Sequence, residues 1–253
     1  MYMKVCAIIP ARYGSTRLPG KPLLKIKGKT IIQMVYEQCK KVKLLERVIV
    51  ATDDERIYNE VVSFGGECVM TSPHHKSGTD RIAEVAKSLD IDVVVNVQGD
   101  EPLISPDSIE SAIKPFFNDK DIVMTTLKTK IQSEEELFNP NVVKVVCDKK
   151  GFALYFSRLP IPYKKHKEMA YPYPLNEREF GNYFKHIGLY AYKRDFLIKL
   201  SKMSPTFLEE REGLEQLRVL ENGYRIFVVE TIFNSIGIDT IEDYMNLKKI
   251  MGE

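Results

Sequence analysis

Val5-Cys6-Ala7-Ile8-Ile9-Pro10-Ala11-Arg12-Tyr13-Gly14-Ser15-Thr16-Arg17-Leu18-Pro19-Gly20-Lys21-Pro22-Leu23 is the stretch on which the reading of this chain turns. Residues 5–9 form an apolar run of the length expected for a buried strand, and an amphipathic segment begins near Thr30. What lies between is a strand-to-helix loop. It holds three cations (Arg12, Arg17, Lys21), two hydroxyls (Ser15, Thr16) and glycines at 14 and 20 that let backbone N–H groups turn toward a ligand. That is the chemistry of a polyphosphate cradle. Gly14 and Gly20 are too far apart for the dinucleotide fingerprint, and Pro22 follows Gly20-Lys21 where a P-loop has Ser or Thr, so neither a dehydrogenase nor a P-loop NTPase is favoured.

Working outward, the elements alternate strand and helix, which predicts an α/β fold with a mostly parallel sheet and helices on both faces. Ile32, Val35, Tyr36, Cys39 and Val42 line one face of a helix at spacings of three and four. Strands are expected at 48–51 and 68–70, with a helix from Asp53-Asp54 through about Ser63 between them. Ser77 or Thr79 can cap a helix with Ile82, Val85, Ala86 and Leu89 inward. The β-branched run 93–98 ends at Gly99-Asp100-Glu101-Pro102, placing Asp100 beyond the carboxyl end of a strand, where α/β sheets collect ligands. Ser105-Pro106 reads as a cap with proline at the first helical position. After Asp121 the alternation loosens. Strands at 122–127, 142–147 and 152–156, the last two joined by a turn at 148–151, predict a mixed sheet. A long loop over 160–182, a strand at 185–192, helices at 194–202 and 210–222, strands at 225–230 and 236–238, and a helix capped by Thr240 complete the chain.

At 253 residues the chain fits one large α/β domain, and we read 1–253 as a single domain with 150–205 as a subregion of its own. A net charge of +2 gives no argument for nucleic acid or an anionic membrane as partner. No apolar stretch approaches the roughly 20 residues needed to span a bilayer, and the N-terminus lacks a secretory apolar core, so a cytoplasmic location is expected. Cys6, Cys39, Cys68 and Cys147 form no C-x-x-C pair and are expected to be buried free thiols.

A triphosphate brings about four negative charges, which basic side chains and a divalent cation balance together. Asp100 and Asp239 each follow an apolar run and can offer hard oxygen ligands to Mg²⁺. They lie 139 positions apart, so their meeting is an expectation for the fold to decide. Either aspartate can instead cap the next element, and loop cations such as Arg12 and Lys21 can simply be solvated.

Seven blocks in order, spanning nearly the whole chain, resemble the 3-deoxy-D-manno-octulosonate (Kdo) cytidylyltransferase family. They are residues 10–23, Ser77-Gly78-Thr79-Asp80-Arg81, Val97-Gln98-Gly99-Asp100-Glu101-Pro102, Phe138-Asn139-Pro140-Asn141-Val142-Val143-Lys144, Ala153-Leu154-Tyr155-Phe156-Ser157-Arg158, His186-Ile187-Gly188 and Leu214-Glu215-Gln216-Leu217-Arg218. The resemblance implies a three-layer α/β/α fold like that of nucleotide-diphospho-sugar transferases. It also implies transfer of CMP from CTP to the anomeric 2-hydroxyl of Kdo with release of pyrophosphate, Mg²⁺ as cofactor, and a homodimer with dimer and sugar-acid contacts within 150–205. The product serves lipopolysaccharide or capsule synthesis. Carried onto this chain, Arg12, Lys21 and Asp100 act in catalysis. Arg12, Gly14, Ser15, Lys21, Ser77, Arg81 and Gln98 surround the nucleotide, and Asp100 and Asp239 hold metal. Arg158, His186, Tyr190, Glu215 and Gln216 line the sugar-acid pocket. Taken without the family, His186 reads as a core or surface residue, Tyr190 as core, Glu215-Gln216 as a solvated helix face, and Arg158 equally as a carboxylate contact or a structural pair. Phe-Asn-Ser-Ile-Gly-Ile before Asp239 lacks the proline-glycine common in the family. The remaining alternatives are a cytidylyltransferase for a related acid such as 8-amino-Kdo, a metal-dependent glycosyltransferase, and a non-catalytic nucleotide-binding module. A sialic-acid-type enzyme is disfavoured because the chain has Arg-Tyr-Gly-Ser-Thr-Arg rather than Arg-Gly-Gly-Ser-Lys. A glycosyltransferase is disfavoured because the chain has Gly-Asp-Glu-Pro rather than Asp-x-Asp.

Overall fold

The computed structural model describes residues 3–15, 17–165, 181–233 and 237–253. Strand β1 (Val5–Ala11) follows from its apolar run, which is fully buried from Val5 to Ile9. A 3-10 turn (Lys21–Leu23) and the short hairpin β2 (Lys25–Ile26) and β3 (Lys29–Thr30) lead into α1 (Ile31–Lys40), whose N-cap is Thr30. Next come β4 (Arg47–Thr52), α2 (Glu55–Ser63), β5 (Glu67–Met70), α3 (Gly78–Lys87), β6 (Val93–Asn96), α4 (Pro106–Ile113) and α5 (Pro115–Asn118). Asp54 caps α2 and Ser77 caps α3, each accepting a backbone N–H from the first turn. Ser105 precedes α4 as expected but makes no side-chain cap bond; Pro106 supplies the start through its fixed φ and missing N–H.

The chain continues through β7 (Met124–Lys130), α6 (Glu134–Phe138), β8 (Lys144–Cys147), β9 (Ala153–Ser157), β10 (Phe184–Lys193), α7 (Arg194–Leu200), α8 (Phe207–Glu212), α9 (Gln216–Glu221), β11 (Phe227–Glu230) and α10 (Ile241–Ile250). The single helix expected over 210–222 is two helices. Gly213 takes a left-handed conformation (φ +62°) that ends α8, a geometry open to glycine without strain. No strand forms at Gly237–Ile238; position 236 and residues 166–180 of the expected long loop lie outside the described residues.

The chain divides into two compact units. The first comprises Met1–Lys120, Leu189–Lys202 and Ser235–Glu253. Its sheet runs β5-β4-β1-β6 in parallel, with Tyr190–Lys193 of β10 added antiparallel to β6. This is a mostly parallel mixed sheet flanked by helices. Ile8 pairs with both Ile49 and Asn96, so β1 sits centrally with its carboxyl end beside that of β6. Helix α1 packs on β1 and β4 and against α4, while α3 packs on β1, β4 and β6 and against α7. A satellite core of Ile26, Ile31, Met34, Ile238 and Leu247 ties α10 and the segment before it to α1.

The second unit comprises Asp121–Gly188 and Met203–Asn234. It contains the parallel pair β7–β11 and the antiparallel hairpin β8–β9, where Asp148 Oδ1 accepts from the amides of Lys150 and Phe152 to close the turn. All four cysteines are free, but only Cys6 and Cys39 are buried; Cys68 and Cys147 are half-buried. Among the described residues no helix is long and apolar enough to cross a membrane.

Candidate active site

At the carboxyl ends of β1 and β6, within the first unit, lies a cavity of about 330 Å³. One wall is the loop after β1, which contributes Arg12, Ser15, Arg17 and Lys21. The loop folds back on itself because the Tyr13 carbonyl accepts from both the Ser15 and Gly20 amides at 2.9 Å. Gly20 has φ +72°, and a Cβ there would lie 2.9 Å from the Tyr13 ring, so the turn requires glycine. The Tyr13 ring in turn packs under the Arg56 guanidinium at 3.3 Å.

The second wall is the start of α3 with the loop before it: His75, Lys76, Ser77, Gly78 and Arg81. Arg81 has only 5% of its side chain exposed and is held by Asp53 at 2.9 Å and by the Thr71 hydroxyl. The third is the turn after β6, with Gln98, Gly99 and Asp100, joined by Asp239. Thus Arg12, Ser15, Lys21, Ser77, Arg81, Gln98, Asp100 and Asp239 come together. Gly14 lies in the same loop and is not part of the cavity lining.

The two aspartates meet at Lys21. Its Nζ pairs with Asp100 Oδ2 and, at 3.1 Å, with Asp239 Oδ1, and it donates to the Ile238 carbonyl at 3.0 Å. Arg17 holds the other Asp239 oxygen at 2.9 Å, and the Ile238 amide donates to the Asp100 carbonyl at 2.9 Å. Burial pushes the Lys21 pKa down, but the pull of Asp100 and Asp239 outweighs it and the net shift is upward, so the ammonium stays charged. Asp239 does not cap α10. Thr240 does, in a reciprocal pair with Asp243 that leaves the Asp239 carboxylate to the cavity. Two carboxylates facing one cationic point form a hard oxygen donor set that fits Mg²⁺, which needs one or two carboxylates plus substrate phosphates. Among the described residues no third His, Cys, Asp or Glu joins them.

The cavity's cations differ in state. Lys21, Arg17 and Arg81 are bound to carboxylates, whereas Arg12 and Lys76 have no carboxylate partner among the described residues. Sequence reasoning passed over His75 and Lys76. Lys76 is a lone lysine in a polar loop, and only the packing of α3 on β1 brings it to the site.

Of the residues assigned to the sugar acid, Arg158, His186, Glu215 and Gln216 belong to the second unit and Tyr190 to the first. Arg158 directs Nε, Nη1 and Nη2 to the carbonyls of Glu212, Pro140 and Gly213, leaving two of its five N–H donors without a partner among the described residues. His186 Nε2 lies 2.9 Å from Thr126 Oγ1, which is also within 3.2 Å of the Ile187 carbonyl. Burial lowers the His186 pKa to about 3 and keeps the imidazole neutral. Gln216 is buried at the start of α9, Glu215 precedes it as N-cap, and Tyr190 stacks on Tyr192 at 6.0 Å.

A cationic cavity beyond the carboxyl ends of parallel strands, with two carboxylates in its lining, defines a nucleotidyltransferase site. The chain belongs to the cytidylyltransferase family, whose model matches residues 6–232. It is 56% identical over 245 residues to a 3-deoxy-manno-octulosonate cytidylyltransferase of Geotalea daltonii, covering 95% of each chain. It is 55% identical over 252 residues to the protein of that name from Fusobacterium nucleatum, covering 98% of this chain and 96% of the relative. Among solved structures, a CMP:2-keto-3-deoxy-manno-octonic acid synthetase complexed with CTP superposes with a TM-score of 0.88 at 42% identity, covering 98% of each chain.

Proposed function

We propose that this protein transfers CMP from CTP to the anomeric 2-hydroxyl of Kdo and releases pyrophosphate. The observation that carries this reading is the cationic cavity at the ends of β1 and β6, in a chain more than half identical, along nearly its whole length, to proteins named for that reaction. Arg12 and Lys76, lacking carboxylate partners among the described residues, attract the triphosphate electrostatically. Lys21 stands ready to neutralise charge as pyrophosphate departs from the α-phosphorus, which the 2-hydroxyl attacks in line. Asp100 and Asp239 would hold Mg²⁺, which when bound would supply neutralisation of phosphate charge and help acidify the attacking hydroxyl.

Sugar-acid binding by Arg158, His186, Tyr190, Glu215 and Gln216 belongs to the same proposal. Its support is their motif resemblance and their chemistry: a guanidinium with two remaining donors for a carboxylate, and a carboxylate and an amide for sugar hydroxyls. A cytoplasmic homodimer is the assembly we infer from the family. The test is pyrophosphate release from CTP across a panel of sugar acids with Mg²⁺ present. Release with Kdo is expected; release only with another acid, such as 8-amino-Kdo, changes the substrate, and none with any acid overturns the activity.

A further inference from the structure

Arg158, at the end of β9, is a half-buried arginine whose guanidinium is held by three backbone carbonyls. Nε donates to Glu212, Nη1 to Pro140 at 3.0 Å and Nη2 to Gly213 at 3.3 Å, and among the described residues no carboxylate lies within ion-pair distance of it. Arginine carries a fixed charge, so a cradle of carbonyls orients the cation without neutralising it. Glu212 is the acidic neighbour, yet its side chain goes to other donors: Oε2 accepts the Arg158 backbone amide and Oε1 the Ser157 hydroxyl, each at 2.9 Å. Those two bonds clamp the end of β9 to the end of α8, where the last carbonyls lack partners inside the helix. The left-handed Gly213 ends α8 just there, and a Cβ on it would lie 3.6 Å from Arg158 Nη2. The Pro140 carbonyl is fixed separately. Lys144 is fully buried and donates to the carbonyls of Asn139 and Val142 at 2.9 and 2.6 Å, which pins the turn that carries Pro140.

We propose that Glu212 is a positioning residue for sugar-acid binding: its side chain locks the backbone at Ser157 and Arg158 onto the end of α8, so that the Arg158 guanidinium is oriented before substrate arrives and its charge is left for the carboxylate of the acid. The proposal rests on reading Arg158 as the contact to that carboxylate. A carboxylate pairs with a guanidinium through charge-assisted hydrogen bonds, for which Arg158 keeps two N–H donors without a partner among the described residues. Holding the long side chain in place beforehand removes an ordering cost that binding would otherwise bear. A direct ion pair between Glu212 and the guanidinium would make the substrate compete with a fixed carboxylate. Clamping through the backbone amide and Ser157 gives the same orientation without that competition.

Steady-state kinetics of pyrophosphate release from CTP and Kdo by the full chain, its Glu212→Ala, Glu212→Gln and Arg158→Ala variants and the double Ala variant test this. Glu212→Ala is expected to raise the Kdo KM about tenfold, the worth of one charge-assisted hydrogen bond, while kcat and the CTP KM stay within about twofold. A general folding defect would instead lower kcat by reducing the active fraction. Glutamine keeps an acceptor for the Arg158 amide and an N–H for the Ser157 oxygen, so Glu212→Gln should restore the Kdo KM to within about threefold of wild type. Arg158→Ala should raise it about a hundredfold, and adding Glu212→Ala to that variant should raise it no further. A wild-type Kdo KM in Glu212→Ala, a Gln variant no better than Ala, or full multiplicative effects in the double variant each overturn the positioning role while leaving that of Arg158 standing. An unchanged Kdo KM in Arg158→Ala overturns the sugar-acid role of Arg158 and this proposal with it, and no pyrophosphate release by wild type overturns both and the reaction itself. Independently of any variant, the Arg158 Nε proton should exchange slowly with solvent by NMR in the full chain without Kdo, and fast exchange there refutes the preset orientation.

Discussion

Replacing Gly99 by alanine tests how tightly the two ends of the catalytic wall are fitted. A Cβ at Gly99 would lie 2.9 Å from the Pro10 carbonyl oxygen and 3.5 Å from Ile32 Cδ1 and Ile9 Cγ2. Reaching ordinary contact requires the two backbones to separate by about half an ångström at the carboxyl ends of β1 and β6. Pro10 is held by its pairing with Ala51 in β4, so the strain falls on the turn that carries Gln98 and Asp100. Overpacking of this kind costs about 1–3 kcal/mol. A misplacement of about 1 Å lowers turnover on the order of a hundredfold, so half that displacement predicts about a tenfold loss in kcat/KM. Pyrophosphate release gives the rate and thermal melting the stability. Gly14→Ala is the control: its Cβ meets nothing within 4 Å, and its stability should stay within about 0.5 kcal/mol of wild type. A Gly99→Ala protein with wild-type kcat/KM and melting temperature would show that the approach of Pro10 does not set the position of Asp100.

Asp100→Asn keeps the shape of the side chain but loses its charge toward Lys21, and should lower kcat about a hundredfold or more while the denaturation midpoint barely moves; an active Asn variant refutes its essential role. The neutral His186 predicts acid sensitivity. Its folded pKa, about 3, lies below the unfolded value of 6.5, so the unfolded chain binds the extra proton and stability falls as pH drops through that window. The loss is of order a few kcal/mol. His186→Asn should flatten the dependence of unfolding free energy on pH between 6.5 and 4, and an unchanged slope would show the imidazole is accessible to protons. Thr240→Ala removes the cap of α10 at a cost of about 1 kcal/mol by urea denaturation. Because Asp239 directly precedes that cap, kcat should fall as well, and stability loss without rate loss would separate the two.

Much of this protein is legible locally. The apolar run of β1, the 3.6-residue periods of α1 and α3 and the caps at Ser77 and Thr240 are short-range signals, and each element formed where its signal stands. The breaks that were missed have local causes of low contrast. Gly213 reads as one tolerated glycine in a helical pattern until its left-handed φ is seen. Arg158 illustrates the reverse: its charge is plain in the sequence, but the three carbonyls that hold its guanidinium are chosen by the folded chain.

The sequence alone determined that the loop after β1 carries the cations, hydroxyls and turn glycines of a phosphate cradle, because those are properties of side chains and of φ at single residues. It could not determine that Asp100 and Asp239 converge on Lys21, or that His75 and Lys76 face the same cavity. Those meetings depend on parallel strand order and on the small core of Ile26, Ile31, Met34, Ile238 and Leu247, which fixes the segment before α10. Contacts between residues so far apart in the chain follow only after many apolar side chains have been buried together, and no local pattern records that outcome.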